Sequence, residues 1–424
     1  MQTEDFSRRI LSKHAGTFRK VRGNKMKQKS SDTAIIIGVV CIATYLTNYY
    51  MRHILSVLTP RLLETGKFTV EHIGLLSSVY MFFYAAGQLV NGFIGDYISP
   101  RKLTSAGVFI SGVVSIIFPF SGSEILHIAL FAVFGFALSM VRGPFMKIIS
   151  ENTSPNQART ICIFFSFAGF AGPLIASLFA MVNNWQWVFV AAGSVSTIVS
   201  AVAYAFFTKM EQSGKITYKI SKSQSFGSLL AVFKIDKFVF YMAIAALAEM
   251  GGVSISFWIP TFLTKNLLFS KDAANMIFTF ISVMRSIVPF LTLIVFRLIK
   301  EKDIVLLRAS FLVSTVLFVG MLLSQNRWIT LLLLIVALMA MSCPSALLWS
   351  IYIPGLGKTG RVSSVNGILD CTGYIAAAVA NILFAGIMSR AGWNTVILLW
   401  ASIGVVGIIA TLAVNKAENG VTVL

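Results

Sequence analysis

Long uncharged runs recur along the chain and alternate with short polar segments. Four early runs contain no Asp, Glu, Lys or Arg: residues 34–51, 73–95, 103–123 and 125–141. Residues 160–208 are uncharged too, and the polar turn Asn183-Asn184-Trp185 divides them into two. A membrane-spanning helix needs about 20 mostly apolar residues, so this part of the chain is predicted to cross a membrane six times.

A polar, lysine-rich segment at residues 209–237 separates these runs from a second set. The later runs, each about 20 to 27 residues long, are centred near Glu249, Arg285, Leu317, Met339, Thr372 and Ile403. The pattern predicts an all-α integral membrane protein with twelve transmembrane helices in two six-helix halves. The expected order is a basic tail, a first half, a central loop, a second half and a short tail, at residues 1–33, 34–208, 209–237, 238–415 and 416–424.

Composition agrees with a membrane protein. Hydrophobic residues make up 56% of the 424 residues and charged residues only 12%, whereas a soluble domain carries roughly 25% charge. A soluble enzyme is therefore excluded. The net charge of +19 would indicate a nucleic-acid partner in a soluble protein, but here it follows from loop charge, so the lipid bilayer is the expected partner and nucleic acid is not.

Loop charges predict the orientation. If the N-terminus is inside, the inner segments hold the basic tail, Arg159 and the lysines of the central loop. The outer loops hold only Arg61, Lys67, Lys265, Lys271, Arg327 and Arg390. Because Lys and Arg concentrate on the inner side, both termini are expected in the cytoplasm of a protein that crosses the plasma (inner) membrane repeatedly.

The residues that usually carry enzymatic or metal chemistry are not arranged for it. All four cysteines fall within predicted spans and are expected to be small buried side chains: Cys41, Cys162, Cys343 and Cys371. The four histidines lack zinc-ligand spacing, and the sequence has neither a phosphate-binding GxxxxGK[ST] loop nor a GxSxG nucleophile motif. We therefore expect no cofactor, no metal and no enzymatic activity.

Span 1 carries a polar face. Tyr45, Tyr49 and Arg52 lie on one side of a helix because they are three, four and seven residues apart. A guanidinium group offers a planar fork to phosphate or carboxylate, and a phenol donates one hydrogen bond, so this face suits an oxyanion. The alternative is an interfacial anchor, since tyrosines favour the membrane surface.

Other polar residues fall inside later spans. Tyr80, Tyr84 and Gln88 repeat at intervals of four on span 2. Arg142 lies two residues before Pro144 on span 4, where a bend is expected. Lys147 and Arg308 lie near helix ends and are expected to reach water.

The second half places charges in its spans at Glu249, Arg285 and Asp370. These residues are expected either to neutralise one another in a buried ion-pair network, which is favoured for Arg285, or to include a carboxylate that binds a coupling proton. Both alternatives stay open for Glu249 and Asp370.

The segment after span 2 reads Gly92-Phe-Ile-Gly-Asp96-Tyr-Ile-Ser-Pro100-Arg101-Lys102. It resembles the signature of the major facilitator superfamily, and its ending resembles the organophosphate:phosphate antiporters within it. The tyrosine–arginine face of span 1, Tyr84, Trp258-x-Pro260 and Gly373-Tyr374 resemble the same family. The resemblance implies that Gly92, Asp96 and Arg101 form a cytoplasmic latch between the two halves.

The chain departs from that family at three places. The position of its span-7 arginine is Gly252, the position of its span-2 lysine is Gln88, and span 5 has no histidine. Gly87-Gln88 and the Tyr49–Ser56 segment are also similar to anion:cation symporters, in which a span-4 glutamate stands where this chain has Arg142.

The resemblance and the candidate residues together predict a secondary active transporter of a small organic anion, such as a sugar phosphate, a phosphate ester or a related carboxylate. Phosphate in exchange, or a proton, is the expected second substrate. Arg52 would hold the anion, with Arg142 sharing the load for a dianion or else pairing with an acid. The side chains expected to orient the anion are Tyr45, Tyr49, Tyr84 and Gln88. The alternatives are a proton-coupled sugar-acid symporter and a non-transporting membrane sensor of the same fold.

Overall fold

Helices make up most of the chain that the structure describes, and no β-strand occurs in these residues. The structure is a computed structural model that describes residues 2–179, 184–220 and 231–421. The first half contains α1 (Gln2–Glu64), α2 (Val70–Ile94), α3 (Pro100–Ile117), α4 (Glu124–Ser139), α5 (Arg142–Asn152), α6 (Pro155–Phe179) and α7 (Trp185–Gln212). One 3₁₀ turn, Phe118–Phe120, follows α3.

The second half begins after a 3₁₀ turn at Ala231–Lys234. It contains α8 (Phe238–Glu249), α9 (Ile255–Lys265), α10 (Lys271–Leu298), α11 (Asp303–Leu323), α12 (Arg327–Leu347) and α13 (Val362–Val421). Wide π-helical turns at Met250–Ser254 and Leu348–Tyr352 follow α8 and α12, and short turns at Ile353–Gly355 and Leu356–Lys358 lead to α13. Gly392, with φ of 75°, breaks α13 into two crossings.

The helix lengths agree with a membrane-spanning bundle. Ten helical segments among the described residues are long and apolar enough to cross a membrane. Helices α2 and α6 are each 25 residues long and correspond to the second and fifth predicted spans, because α4 and α5 together correspond to the fourth. The predicted all-α membrane fold is confirmed, while the division into six crossings on each side of the central segment stays a prediction.

Polar side chains fix where several helices begin. Thr69 accepts a hydrogen bond from the backbone N–H of His72 at the start of α2, and Asn184 accepts one from Gln186 at the start of α7. Such caps provide partners for N–H groups that have none within the first turn. Asn184 belongs to the polar turn that the sequence predicts; Asn183, residues 221–230 of the predicted central loop and the last three residues of the C-terminal tail lie outside the described residues.

Three interruptions of regular helix lie around one space between the halves. The chain breaks between α4 and α5 immediately before Arg142, and the two π-helical turns contain Gly252 and Trp349. A π-helical turn widens the backbone and is frequent at functional sites. Across this space α2 packs against α13, and α6 packs against α10.

Candidate functional site

A cavity of about 1080 Å³ lies between the halves. Its lining includes five charged side chains: Arg52, Arg142, Glu249, Arg285 and Asp370. It also includes Thr59 near the end of α1 and Ser77 in the first part of α2. We call the side on which α2 ends and α13 begins the terminal side, because α1 also starts there. Because Thr59 and Ser77 lie toward the opposite ends of α1 and α2, the cavity extends away from the terminal side.

Arg52 is surrounded by aromatic rings and phenols. Its Nη2 donates to the Tyr374 hydroxyl at 2.9 Å, and its Nη1 donates to the Tyr84 hydroxyl at 3.5 Å. The guanidinium carbon lies 4.5 Å from the ring centre of Tyr84 and 5.3 Å from that of Tyr49. Within the described part of the chain, Arg52 forms no ion pair with a carboxylate; hydroxyl dipoles and ring faces contact it directly, and Asp370 acts on it only at longer range.

The tyrosines predicted to orient a ligand divide into two groups. Tyr45 and Tyr49 line the cavity, and their rings meet edge to face at 5.1 Å. Tyr80 also lines it, whereas Tyr84 is buried behind and reaches Arg52. Gln88 is only 1% exposed and is not part of the cavity lining.

Gln88 lies instead at a close contact between the halves. A Cβ atom built on Gly367 of α13 would collide with the backbone carbonyl oxygen of Gln88. At this level, the face of α2 that carries Tyr80 and Tyr84 meets α13 and no longer faces the cavity. The predicted ligand-orienting role of Gln88 therefore disagrees with its position.

Arg142 pairs with an acid of the opposite half. Its Nη1 lies 3.1 Å from Asp370 Oδ1, and Asn366 donates to the other carboxylate oxygen at 2.9 Å. The Arg142 guanidinium carbon also lies 4.0 Å from the ring centre of Trp349. Of the two roles expected for Arg142, the geometry gives the ion pair.

Glu249 has few polar partners. Its Oε1 accepts a hydrogen bond of 3.4 Å from Trp349 Nε1. Its side chain packs on Gly373, where a Cβ atom would lie 2.5 Å from Glu249 Cγ. Among the described residues, no cationic side chain forms an ion pair with Glu249, which distinguishes it from Asp370.

Arg285 reaches the cavity from α10 and is held by hydroxyl and carbonyl groups. Its Nε donates to Ser342 Oγ at 2.8 Å, its Nη1 donates to Ser256 Oγ, and its Nη2 donates to the carbonyl oxygen of Gly252 at 3.1 Å. In the described residues it has no ion pair. The expected network of Glu249, Arg285 and Asp370 is not formed as direct ion pairs among the described residues: Asp370 pairs with Arg142, and Glu249 and Arg285 interact only at longer range.

Asp96 joins the two halves on the terminal side. Its carboxylate accepts hydrogen bonds from the backbone N–H groups of Ser363 at 3.2 Å and Ser364 at 3.0 Å, in the first turn of α13. The N-terminal N–H groups of a helix favour a negative charge. Lys147 Nζ lies 3.6 Å from the same carboxylate. Burial raises the pKa of Asp96 above its ordinary value, while Lys147 opposes this shift.

The other two residues of the predicted latch differ in position. A Cβ atom on Gly92 would lie 2.7 Å from Gly367 Cα, so this glycine permits the close approach of α2 and α13. Arg101 forms an ion pair with Glu211 of α7 at 2.8 Å and lies over the Tyr204 ring. Arg101 is thus bound within the first half, and the expectation that it joins the halves is corrected.

Two residues of this architecture were not singled out from the sequence as functional. Lys147 was expected to reach water, but it is 0% exposed and pairs with Asp96. Trp349, which connects Arg142 to Glu249, lies in a π-helical turn. The position of the lysine inside a predicted span, five residues after Arg142, was a signal for the first, whereas nothing in the spacing indicates the second.

Comparison with known proteins identifies the family. The family model described as Major Facilitator Superfamily matches residues 40–378. The chain is 29% identical over 191 residues to a probable sulfoacetate transporter of Cupriavidus necator, covering 43% of each chain. It is 25% identical over 168 residues to a phosphoglycerate transporter protein of Salmonella typhimurium, covering 38% of this chain and 35% of that one. The matched segments thus span less than half the length of these relatives.

A solved structure supports the same fold. The crystal structure of the Escherichia coli fucose:proton symporter superposes with a TM-score of 0.69 at 13% sequence identity. The superposition covers 89% of this chain and 98% of that one. At this identity the likeness concerns the fold alone.

Proposed function

The chain belongs to the Major Facilitator Superfamily, and we propose that it is a secondary active transporter of a small organic anion that binds at Arg52. The observation that carries this proposal is the cavity-lining guanidinium of Arg52, which is hydrogen-bonded to two phenols but has no carboxylate partner among the described residues. A buried charge without a counter-ion is costly in a low-dielectric environment. An anionic ligand would supply the missing charge.

The relatives suggest a class of anion. Sulfoacetate and phosphoglycerate, in the names of two relatives, are both short acids that carry a carboxylate and a second oxyanion group. We take this as the class of substrate for the present chain. Tyr49 and Tyr374, which contact Arg52 from the two halves, would orient the group bound there.

Transport would follow from rocking of the two halves about the cavity. In the state described, contacts of Asp96 and Gly92 with α13 close the terminal side, and the cavity extends to the other side. We place both termini in the cytoplasm because Lys and Arg concentrate on that side. The cavity would then open to the exterior.

We favour coupling to protons over exchange with phosphate, and Glu249 is the reason. Asp370 is paired with Arg142. Among the described residues, Glu249 has no direct ion pair and accepts one long indole hydrogen bond, while Arg142 and Arg285 act on it only at longer range. A buried carboxylate without a direct ion pair takes up a proton more readily than a paired one. Glu249 would therefore carry the proton that enters with the anion.

Proton entry can be measured together with anion uptake. In proteoliposomes with a pH-sensitive dye inside, sulfoacetate added outside should acidify the interior of wild-type vesicles. Glu249→Gln should still take up labelled sulfoacetate but without acidification, since its amide cannot bind the proton. Normal acidification by this variant, or wild-type uptake that requires internal phosphate, would contradict proton coupling through Glu249.

Ligand-induced stabilisation tests the anion site itself. A ligand stabilises the state that binds it, so sulfoacetate or 3-phosphoglycerate should raise the melting temperature of the purified wild-type protein. Arg52→Lys keeps the charge but loses the two parallel hydrogen bonds of a guanidinium group, so we expect its affinity for both ligands to be at least about tenfold lower. The ligand-free melting temperature should stay close to that of wild type.

Arg308→Lys is the matched control, because Arg308 also donates to a hydroxyl and a carbonyl, those of Thr411, but does not line the cavity. It should bind both ligands as the wild type does. Undiminished binding by both Arg52→Lys and Arg52→Ala would refute the proposed role of Arg52.

A further inference from the structure

Arg285 is a second guanidinium group in the cavity that forms no direct ion pair among the described residues, although Glu249 acts on it at longer range. Arg52 reaches the cavity from the first half and Arg285 from the second. Arg142, the remaining cavity arginine, is neutralised by Asp370 at 3.1 Å. The cavity therefore holds two cationic groups, one from each half, that no carboxylate of the described residues pairs with.

The hydrogen bonds of Arg285 leave it able to bind a ligand. A guanidinium group has five N–H donors, and three of them are used, toward Ser342, Ser256 and Gly252. One N–H on each terminal nitrogen is left without a partner in the described part of the chain. Further hydroxyls line the cavity nearby on the same helix, at Ser282 and Ser286.

The backbone of the π-helical turn at Met250–Ser254 makes room for this guanidinium group. Gly252 has no side chain, and a Cβ atom there would lie 3.4 Å from Arg285 Nη2. The carbonyl oxygen of Gly252 accepts a hydrogen bond from the same nitrogen. A Cβ atom at position 252 would be in ordinary contact with Arg285 Nη2, so a side chain that extends beyond Cβ would approach the position of this guanidinium group.

We propose that Arg285, together with the hydroxyls of Ser256 and Ser342, forms a second oxyanion subsite. It binds the sulfonate or phosphate group of a substrate whose carboxylate is bound at Arg52. This inference rests on the proposed function and adds the requirement for two anionic groups. Both hydroxyls accept a hydrogen bond from the guanidinium group and donate to a carbonyl oxygen of their own helix, Ser256 to Gly252 and Ser342 to Leu338. They therefore hold the guanidinium plane in place, and its two remaining N–H groups bind the oxyanion.

The experiment compares probes with one and two anionic groups. Affinities of the purified full chain are measured for sulfoacetate against acetate, and for 3-phosphoglycerate against glycerate. Wild type should bind each two-headed probe at least about tenfold more tightly than its single-headed counterpart, because a second charge-assisted fork contact is made. Arg285→Gln should remove this preference while changing the affinity for acetate and glycerate by less than about twofold.

Two further variants separate a binding role from a structural one. Arg285→Lys keeps the charge without the fork and should retain part of the preference, which tests the subsite even if Arg285→Gln does not fold. In the double variant Gly252→Arg/Arg285→Ala, a guanidinium group approaches the same place from the other helix, and the preference should return. Arg308→Gln, outside the cavity, should preserve the preference.

The possible results are distinguishable. Equal loss for both probe types in Arg285→Gln, or an unchanged preference in both Arg285→Gln and Arg285→Lys, overturns the subsite and leaves anion binding at Arg52 intact. Failure of wild type to bind any of the four probes overturns the proposed function and the subsite together. Loss confined to the two-headed probes, with rescue by Gly252→Arg, supports the subsite.

Discussion

The three arginines of the cavity differ in what neutralises them. Arg142 is paired directly with the carboxylate of Asp370, whereas the direct partners of Arg52 and Arg285 among the described residues are phenols, hydroxyls and a carbonyl. Each ring or hydroxyl dipole offsets only part of a buried positive charge. At the residue scale, this difference separates the groups proposed to bind substrate from the group that links the halves.

The ion pair of Arg142 and Asp370 leads to a prediction about stability. Arg142→Gln leaves the Asp370 carboxylate, 3% exposed, without its cation. Breaking a buried pair in this way costs about 3–5 kcal/mol, so the melting temperature should fall markedly. Adding Asp370→Asn should recover most of the loss, since neither buried charge is then left alone.

Thermal unfolding of the two single variants and the double variant measures the coupling between Arg142 and Asp370. Arg308→Gln, which removes an arginine from the second half, is the control. An Arg142→Gln protein that melts at the wild-type temperature but loses affinity for sulfoacetate more than for acetate would contradict the structural role of this ion pair. Arg142 would then be a substrate ligand.

Helix breaks place the polar side chains of the site. The break before Arg142 is indicated by Pro144 two residues later, so this part of the geometry could be predicted. The π-helical turns at Gly252 and Trp349 could not, because a wide turn inserts one residue without changing the apolar character of the run. Contacts such as Trp349 with Glu249 therefore emerged only from the structure.

Extrapolation along a helix face also has a limit, which Gln88 illustrates. Tyr80, Tyr84 and Gln88 share one face of α2 by spacing alone, but the neighbour of that face changes along the helix. Near Gln88 the neighbour is α13 at Gly367. Arg101 likewise finds Glu211, 110 residues later in the chain, and local sequence gave no sign of that partner.

The contact of α2 with α13 leads to a prediction about conformational state. Gly92→Ala adds a Cβ atom 2.7 Å from Gly367 Cα, where backbone has to move. The terminal side should then close less well, and the cavity should be less often open on the opposite side. In a variant whose four cysteines are serine, an impermeant thiol reagent should label Ser77→Cys in intact cells, and Gly92→Ala should slow this labelling severalfold.

Gly320→Ala is the matched control, because its added Cβ atom meets only Leu333 Cδ1 at an ordinary 3.6 Å. It should leave the labelling rate of Ser77→Cys unchanged. Equal rates with and without Gly92→Ala would contradict the role of this glycine. Absence of labelling in intact cells, with labelling in inverted membranes, would reverse the proposed sidedness.

At the scale of the whole molecule, the sequence predicts the order of the crossings but not how they pair across the cavity. Uncharged runs reveal spans because lipid excludes unpaired charge and requires backbone hydrogen bonds to close within each helix. The same runs do not indicate which helices pack against one another. Arg142 and Asp370 are 228 residues apart, and both appeared in the sequence as isolated charges.

The central claim is that the two halves move a small organic anion held at Arg52. The most direct measurement is uptake of labelled sulfoacetate and 3-phosphoglycerate by proteoliposomes that contain wild type, Arg52→Lys or Arg308→Lys. We predict saturable uptake of at least one of the two anions by wild type and Arg308→Lys, and at least about tenfold slower uptake at low substrate concentration by Arg52→Lys. Uptake of neither anion by wild type, or equal uptake by all three proteins, would contradict the account.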